Sequence, residues 1–447
     1  MPLISAPCAY IHLDAEGREL AKGEGEVQLE AELLSLLPKF GETIFLSLVD
    51  IAEIMQVDYR LNLGLQSEEK LSLSEMGYRL GDFVTNLSAA RNEMILKFLL
   101  MNESIRKGGV SGDLDIAYSS GSKKRFENCR LRLYETSVVF VPATGEDPIR
   151  IHYGNIAKSE GRDYALIIIT ESGDTFTFSK MGGEFDATVR DMSAAMNDLN
   201  LQSQALVKSF FSLADPSVVR EISRLLKDGK AAKRAAIESA SPEVWTSLEK
   251  LLEQTPVWSG YQFLKSMARP ENIAAGIKRG LMGDLTGNYV WVLIPIYGGN
   301  RAGGNAIALE AVRVTPRSAE DTSGGTELEV GGNATYFFRI AGRQDYPGLD
   351  EAAMDALTDV MIRKINQAML DINFRREPIL LTDDQLRDPK YARYRYAANK
   401  LDSLKTLRAL YIGRVIHSSP DQWRADVTDL LSFNAASKED GERWKKA

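Results

Sequence analysis

The chain has 447 residues, of which 44% are hydrophobic and 26% charged, enough apolar material for several separate cores. Its 54 Lys and Arg stand against 62 Asp and Glu, so the formal charge of -8 repels polyphosphate at long range and argues against nucleic-acid binding through the overall field. The only cysteines, Cys8 and Cys129, offer neither a disulfide framework nor a cysteine metal site.

The first twenty residues carry no charged n-region and no continuous apolar core, so a secretory leader is not expected. The longest apolar window, Tyr289 to Tyr297, falls well short of the ~18 residues needed to cross a bilayer. The expected address is cytoplasmic.

Residues 41–93 align without a gap onto residues 146–198, with roughly a quarter of the positions identical. The matches include Ile51 with Ile156, Asp58-Tyr59 with Asp163-Tyr164, Met76-Gly77 with Met181-Gly182, and Ser88-Ala89-Ala90 with Ser193-Ala194-Ala195. Polar as well as apolar residues repeat, which points to a duplicated domain. In the first copy Leu80, Phe83, Val84, Leu87 and Met94 form a helical stripe. Gly108 to Gly112 reads as a linker. In the second copy Leu131, Leu133, Val138 to Val141, Ile149, Ile151, Tyr164 to Thr170, Phe176 and Phe178 have strand periodicity, with Glu171 to Asp174 as a hairpin loop. After Met181-Gly182-Gly183 the period changes, and Phe185, Val189, Met192 and Ala195 share one helical face.

Strands that end in one amphipathic helix resemble the pleckstrin-homology-like (PH-like) superfold, a partly open antiparallel barrel plugged by a C-terminal helix. The resemblance spans about residues 9–105 and 112–205, and it implies binding of proteins, peptides or anionic head groups rather than catalysis. The tandem layout is also similar to the middle domains of eukaryotic histone-chaperone subunits.

Farther on, Asp215-Pro216 and Ser241-Pro242 open helices, Gly229 closes one, and another helix ends near Arg269-Pro270. Strands are expected at Tyr289–Ile296, Ala306–Val314, Glu327–Val330 and Thr335–Ile340. Asp350 then caps a long helix, further helices cover 383–412 and 420–433, and the tail SKEDGERWKKA looks loosely ordered. The expected class is α+β: PH-like modules at 1–107 and 108–205, a helical bridge at 206–283, a sheet plus helix at 284–374 that is a candidate third copy, and C-terminal helices at 375–447.

His12, His152 and His417 lie in different modules without a second ligand at metal spacing, so no metal and no cofactor are expected, and His152 reads as an exposed or half-buried structural residue. The glycines at 298–304 lack a P-loop ending and read as a hairpin tip, and Gly324-Gly325 and Gly331-Gly332 read as turns. Lys123, Lys124, Arg125, Arg130 and Arg132 form the candidate anion site. Arg375, Arg376, Arg387, Lys390, Arg393 and Arg395, interleaved with Tyr391, Tyr394 and Tyr396, form a candidate single-stranded nucleic-acid contact, where bases would stack on the rings. No catalytic residues are assigned. The chain reads as a non-catalytic binding or scaffold protein with a protein partner. The alternatives are a chromatin- or nucleic-acid-associated factor using 375–396, and an enzyme with a carboxylate-based site between modules, around Asp383 and Asp384.

Overall fold

The computed structural model describes residues 2–99, 103–143, 146–213, 215–280, 287–297, 304–314 and 334–436. The chain divides into two compact units, Met1–Met196 and Asn197–Ala447.

The first unit holds two seven-stranded antiparallel sheets, each followed by a long helix. In the first sheet β1 is Ile4–Leu13, β2 Glu19–Leu29, β3 Leu33–Pro38, β4 Ile44–Ser47, β5 Ile51–Val57, β6 Arg60–Leu65 and β7 Lys70–Ser74, and helix α1 spans Leu80–Phe98. In the second, β8 is Ile105–Ala117, β9 Lys123–Tyr134, β10 Ser137–Val141, β11 Ile149–His152, β12 Ile156–Arg162, β13 Ala165–Thr170 and β14 Thr175–Ser179, and α2 spans Phe185–Phe210. Their strand orders, β4-β3-β2-β1-β7-β6-β5 and β11-β10-β9-β8-β14-β13-β12, are the same seven steps taken twice. Left-handed backbone repeats as well, at Asp58 and Asp163, Glu75 and Lys180, and Gly77 and Gly182. Strands such as β6, β7 and β13 alternate as a sheet with one covered face requires. In β6 Leu61, Leu63 and Leu65 are buried, and Phe83 and Leu87 of α1 close over that interior with 0% exposure.

Gly108 to Gly112 is not a linker: it lies within β8, where the register against β9 shifts between Lys107 and Val110 and again between Gly112 and Leu114. Bulges of this kind use glycine and bend the strand. At Gly112 a Cβ would stand 2.4 Å from the Ser179 carbonyl oxygen, so the sheet folds across itself at this point. The first copy has the two residue types exchanged, and its close approach falls elsewhere, where a Cβ at Gly25 would stand 2.4 Å from the Leu37 carbonyl oxygen. Cys8 on β1 faces Gly25 on β2, whereas Gly112 on β8 faces Cys129 on β9.

The second unit begins within α2, at Asn197, and continues with helices α3 (Pro216–Leu225), α4 (Arg234–Ala240), α5 (Pro242–Glu253) and α6 (Trp258–Met267), with the two-residue strand β15 (Ala232–Lys233) between the first two of these. Asp215 caps α3 by accepting from the Ser217 N–H, as its Asp-Pro sequence requires. Next come β16 (Ala274–Arg279), β17 (Asn288–Ile296), β18 (Ala306–Val314), β19 (Ala334–Arg339) and the capped helix α7 (Glu351–Asp371). Short helices α8 (Glu377–Leu380) and α9 (Asp383–Leu386), then α10 (Ala392–Lys400) and α11 (Asp402–Leu410), lead to β20 (Tyr411–Ile416) and α12 (Pro420–Ala436). The six strands β15 to β20 lie in sequence order. That plain meander differs from the order shared by the two copies. Val290, Val292, Ile294 and Ile296 of β17 join Trp245, Leu248, Tyr261, Trp423 and Val427 in one core. Trp291, on the opposite face, meets Phe374 edge-on at 5.7 Å. A sheet covered on both faces accounts for the continuous apolar run of β17.

Two strands within stretches expected to be helical, β16 and β20, have Gly276 and Gly413 in short apolar runs that carry no clear period. The expected strand Glu327–Val330, most of the 298–304 glycine cluster, Gly324-Gly325, Gly331-Gly332 and the tail from Ser437 lie outside the described residues. No helix among the described residues is long and apolar enough to cross a membrane.

Candidate functional site

Helix α1 has two working faces. One plugs its own sheet; the other lies on the outer surface of β10 in the second sheet. Leu96 of α1 packs with Tyr134, Val139 and Val141, all 5% exposed or less. Burying one such leucine contributes roughly 1.5–3 kcal/mol. Polar contacts fix the position. Asn92 Nδ2 donates to the Pro142 carbonyl at 3.3 Å. The Arg91 side chain, 1% exposed, donates from Nε to the Ile51 carbonyl at 2.7 Å and from Nη2 to Asp147 Oδ1 at 2.8 Å. It therefore ties the first sheet to the second.

The covered surface presents arginines, and the segment lying on it supplies carboxylates to two of them. Across the outer face of the second sheet Arg132 pairs with Val139, Val139 with Arg150, and Arg130 with Val141. Arg132 Nη2 meets Glu93 Oε1 of α1 at 2.5 Å, and Arg150 Nη2 meets Glu103 Oε1, just beyond the helix, at 2.6 Å. Burial opposes ionisation of Glu103, but Arg150, the Thr136 N–H and nearby His152 outweigh it and hold the carboxyl below its ordinary range. His152 itself is only 2% exposed, not the exposed or half-buried residue its sequence context suggested. It lies two residues from Arg150 on the same strand, near this ion pair.

Register gives the counterpart of this face in the first sheet. Leu34 pairs with Leu46 as Val138 pairs with Ile151, and Leu29 pairs with Leu34 as Leu133 pairs with Val138. Ser35 then corresponds to Val139, Leu37 to Val141, Phe45 to Arg150, Gln28 to Arg132 and Glu26 to Arg130. Phe45 is 64% exposed and Phe40, at the adjoining turn, 91%. Leu33 and Leu37 are half-buried. Around them stand Glu24, held by Lys39 at 2.5 Å, and the exposed Glu26 and Glu30, which make no ion pair among the described residues.

The sequence-derived anion candidates fall into two groups along β9. Lys123, Lys124 and Arg125 occupy one end, and Arg125 is engaged by Asp113, Asp115 and Glu127 at 3.3, 3.6 and 3.9 Å. Arg130 and Arg132 lie toward the other end; at about 3.3 Å per residue, Lys123 and Arg132 are some 30 Å apart along the strand, too far to share one anion. An anion at Arg132 would have to displace Glu93.

The basic and tyrosine-rich segment runs from the turn after α7 through α10. Arg376 donates to the Tyr336 hydroxyl at 3.0 Å, and Tyr396 is buried in α10. Arg375 is half-buried. Arg387, Lys390, Arg393 and Arg395 are exposed; Arg387 pairs with Asp384 at 3.2 Å and Lys390 with Asp388 at 3.0 Å. The Tyr391 and Tyr394 rings stack with centroids 6.1 Å apart. Asp383 and Asp384 are 88% and 87% exposed, and Arg408 holds Asp383 at 2.6 Å, so they form no enclosed acid–base site.

Sequence reasoning missed a carboxylate–imidazole pair. Glu310 lies within β18 at 4% exposure. Its Oε2 accepts from the Thr335 hydroxyl at 2.6 Å and lies 3.0 Å from His417 Nε2. The His417 ring stacks on Trp423 at 5.1 Å, beside a pocket of about 140 Å³ at the starts of α6 and α12. The signal was a single glutamate inside the apolar run AIALEAVRV. Among the described residues no group of three or more metal-ligating side chains gathers.

No protein-family model matches the chain, and no curated protein matches its sequence. Among solved structures, the C-terminal domain of an unknown protein from Leishmania infantum aligns at 13% identity and a TM-score of 0.18, covering 23% of this chain and 95% of that one. The Spt16D–Pob3N heterodimer aligns at 13% identity and a TM-score of 0.16, covering 38% of this chain and 85% of that one. At such scores neither likeness carries the functional argument.

Proposed function

We propose that the chain is a non-catalytic, multi-domain binding or scaffold protein whose tandem PH-like modules present sheet faces to a macromolecular partner. One observation carries this reading: the outer face of β10 is covered by a helix, while on the corresponding face around β3 the Phe45 side chain is left 64% exposed beside a buried Ser35. Exposed aromatic side chains on a rigid sheet are the kind of anchor that protein interfaces use. The buried, unpaired thiols Cys8 and Cys129 support a cytoplasmic setting as part of the same proposal. The test is affinity capture of the tagged full-length chain from its native host, followed by quantitative mass spectrometry. A stoichiometric protein partner is expected, and a chain recovered alone would overturn the proposal.

A second reading has its own observation. Exposed Arg393 and Arg395 flank the stacked Tyr391–Tyr394 pair, an arrangement suited to single-stranded nucleic acid. Single-strand binding titrated across salt should then show a steep slope that Arg393→Glu with Arg395→Glu abolishes. A flat response would end this reading.

A further inference from the structure

The two copies share a strand order but not the charge of their outer faces, and the difference specifies a ligand. In the second module the apolar pair Val139 and Val141 is bordered by Arg130, Arg132 and Arg150, and the segment that covers it supplies Glu93 and Glu103. In the first module the buried Ser35 takes the place of Val139, the apolar residues are Leu33, Leu37 and Phe45, and Glu26 takes the place of Arg130 while Glu30 stands at the rim. We propose that the β2–β3–β4 face of the first module docks an amphipathic helix of another protein, apolar along one stripe and basic on its flanks, in the manner in which the second module holds α1. The inference rests on the scaffold reading and names the chemistry of its partner.

The physical case has three steps. A helix seated on β10 already demonstrates that this sheet curvature accepts a helix; the same strand order recurs in the first module. An aromatic ring that is 64% exposed gains most of its burial only when something covers it. Charge then selects the occupant. Glu26 and Glu30 have no cation among the described residues, so arginines on an incoming helix meet carboxylates that no internal group satisfies. A helix presenting carboxylates there, as α1 presents Glu93 to Arg132, would be repelled.

The test uses the full-length chain and a synthetic four-turn peptide with leucines on one stripe, arginines on both flanks and a photo-crosslinking residue in the stripe. Its twin carries glutamates at the flanks. Fluorescence anisotropy should give binding of the arginine peptide at least tenfold tighter than the glutamate twin. Phe45→Asp should weaken it about tenfold, as should Glu26→Arg with Glu30→Arg, while that double variant gains affinity for the glutamate twin. Crosslinks should map to residues 33–47, and Arg130→Glu should change nothing. Equal binding of the two peptides, binding indifferent to the substitutions, or no binding overturns the inference. Affinity capture separates the two levels: a host partner retained by the Phe45→Asp chain removes this face but leaves the scaffold reading, whereas capture of no partner by the unaltered chain removes the reading itself.

Discussion

At the scale of single residues, the tandem unit depends on a few buried ionic groups that nothing in their local sequence singles out. Arg91 is the clearest, because its guanidinium is 1% exposed and serves a backbone carbonyl on one sheet and a carboxylate beside the other. Replacing it with Met keeps the volume but removes the donor to the Ile51 carbonyl and the cation beside Asp147. The expected loss is about 3 kcal/mol in urea unfolding. Glu103 makes a pH prediction. Its folded carboxyl titrates below the ordinary value of 4.5, so it adds stability above that pH, and the increment is lost as pH falls through the folded value. Glu103→Gln should therefore cost about 2–4 kcal/mol at neutral pH and progressively less under acid. A cost independent of pH would show that the pair with Arg150 is not its cause. The two thiols are pushed up by burial, Cys8 to about 11 and Cys129 to about 12. Neither should react with a thiol reagent at pH 8 until the chain unfolds.

At the scale of elements, the glycines of β8 separate a linker from a bulged strand. In a linker, alanine at Gly108 or at Gly112 would be harmless. In the strand, alanine at Gly108 meets only the Ile105 side chain at 3.5 Å, whereas at Gly112 it drives into the Ser179 carbonyl and the Phe178 ring. Gly112→Ala should lower stability by about 2–3 kcal/mol and Gly108→Ala by well under 1 kcal/mol, compared by thermal or denaturant unfolding. The same contrast shows what a sequence displays. Strands covered on one face, such as Leu61-Leu63-Leu65, announce themselves by period two, and the shift from Met76-Gly77 to Met181-Gly182 exposes the duplication. Strand β8 hides because its glycines are there for bulges and a tight crossing. β20 hides because one glycine interrupts six residues. The meeting of Glu310 with His417, 107 positions apart, depends on the β18–β19–β20 pairing, which no local pattern encodes. The docking face was equally invisible. Its meaning comes from comparing Glu26 with Arg130 across registers that only the folded sheets define.

At the scale of the whole molecule, duplication supplied two equal sheets and sequence divergence gave them unequal surfaces. The first unit is tied together by an element that belongs to both copies. Because α1 closes the first sheet with Phe83 and Leu87 and covers the second with Leu96, the two modules cannot open independently without exposing one side of that helix. Cooperative units of this kind are visible in native-state hydrogen exchange, where amides that open together lose protection together. Leu96→Ala leaves a cavity against Val139 and Val141 and should cost about 2–4 kcal/mol. Its distinctive consequence is spatial: protection should fall in parallel across α1 and across β9 to β11, although the substitution lies in the first copy alone. Loss confined to α1 would mean that the helix belongs to its own sheet only, and that the second module holds its outer face dry by other contacts.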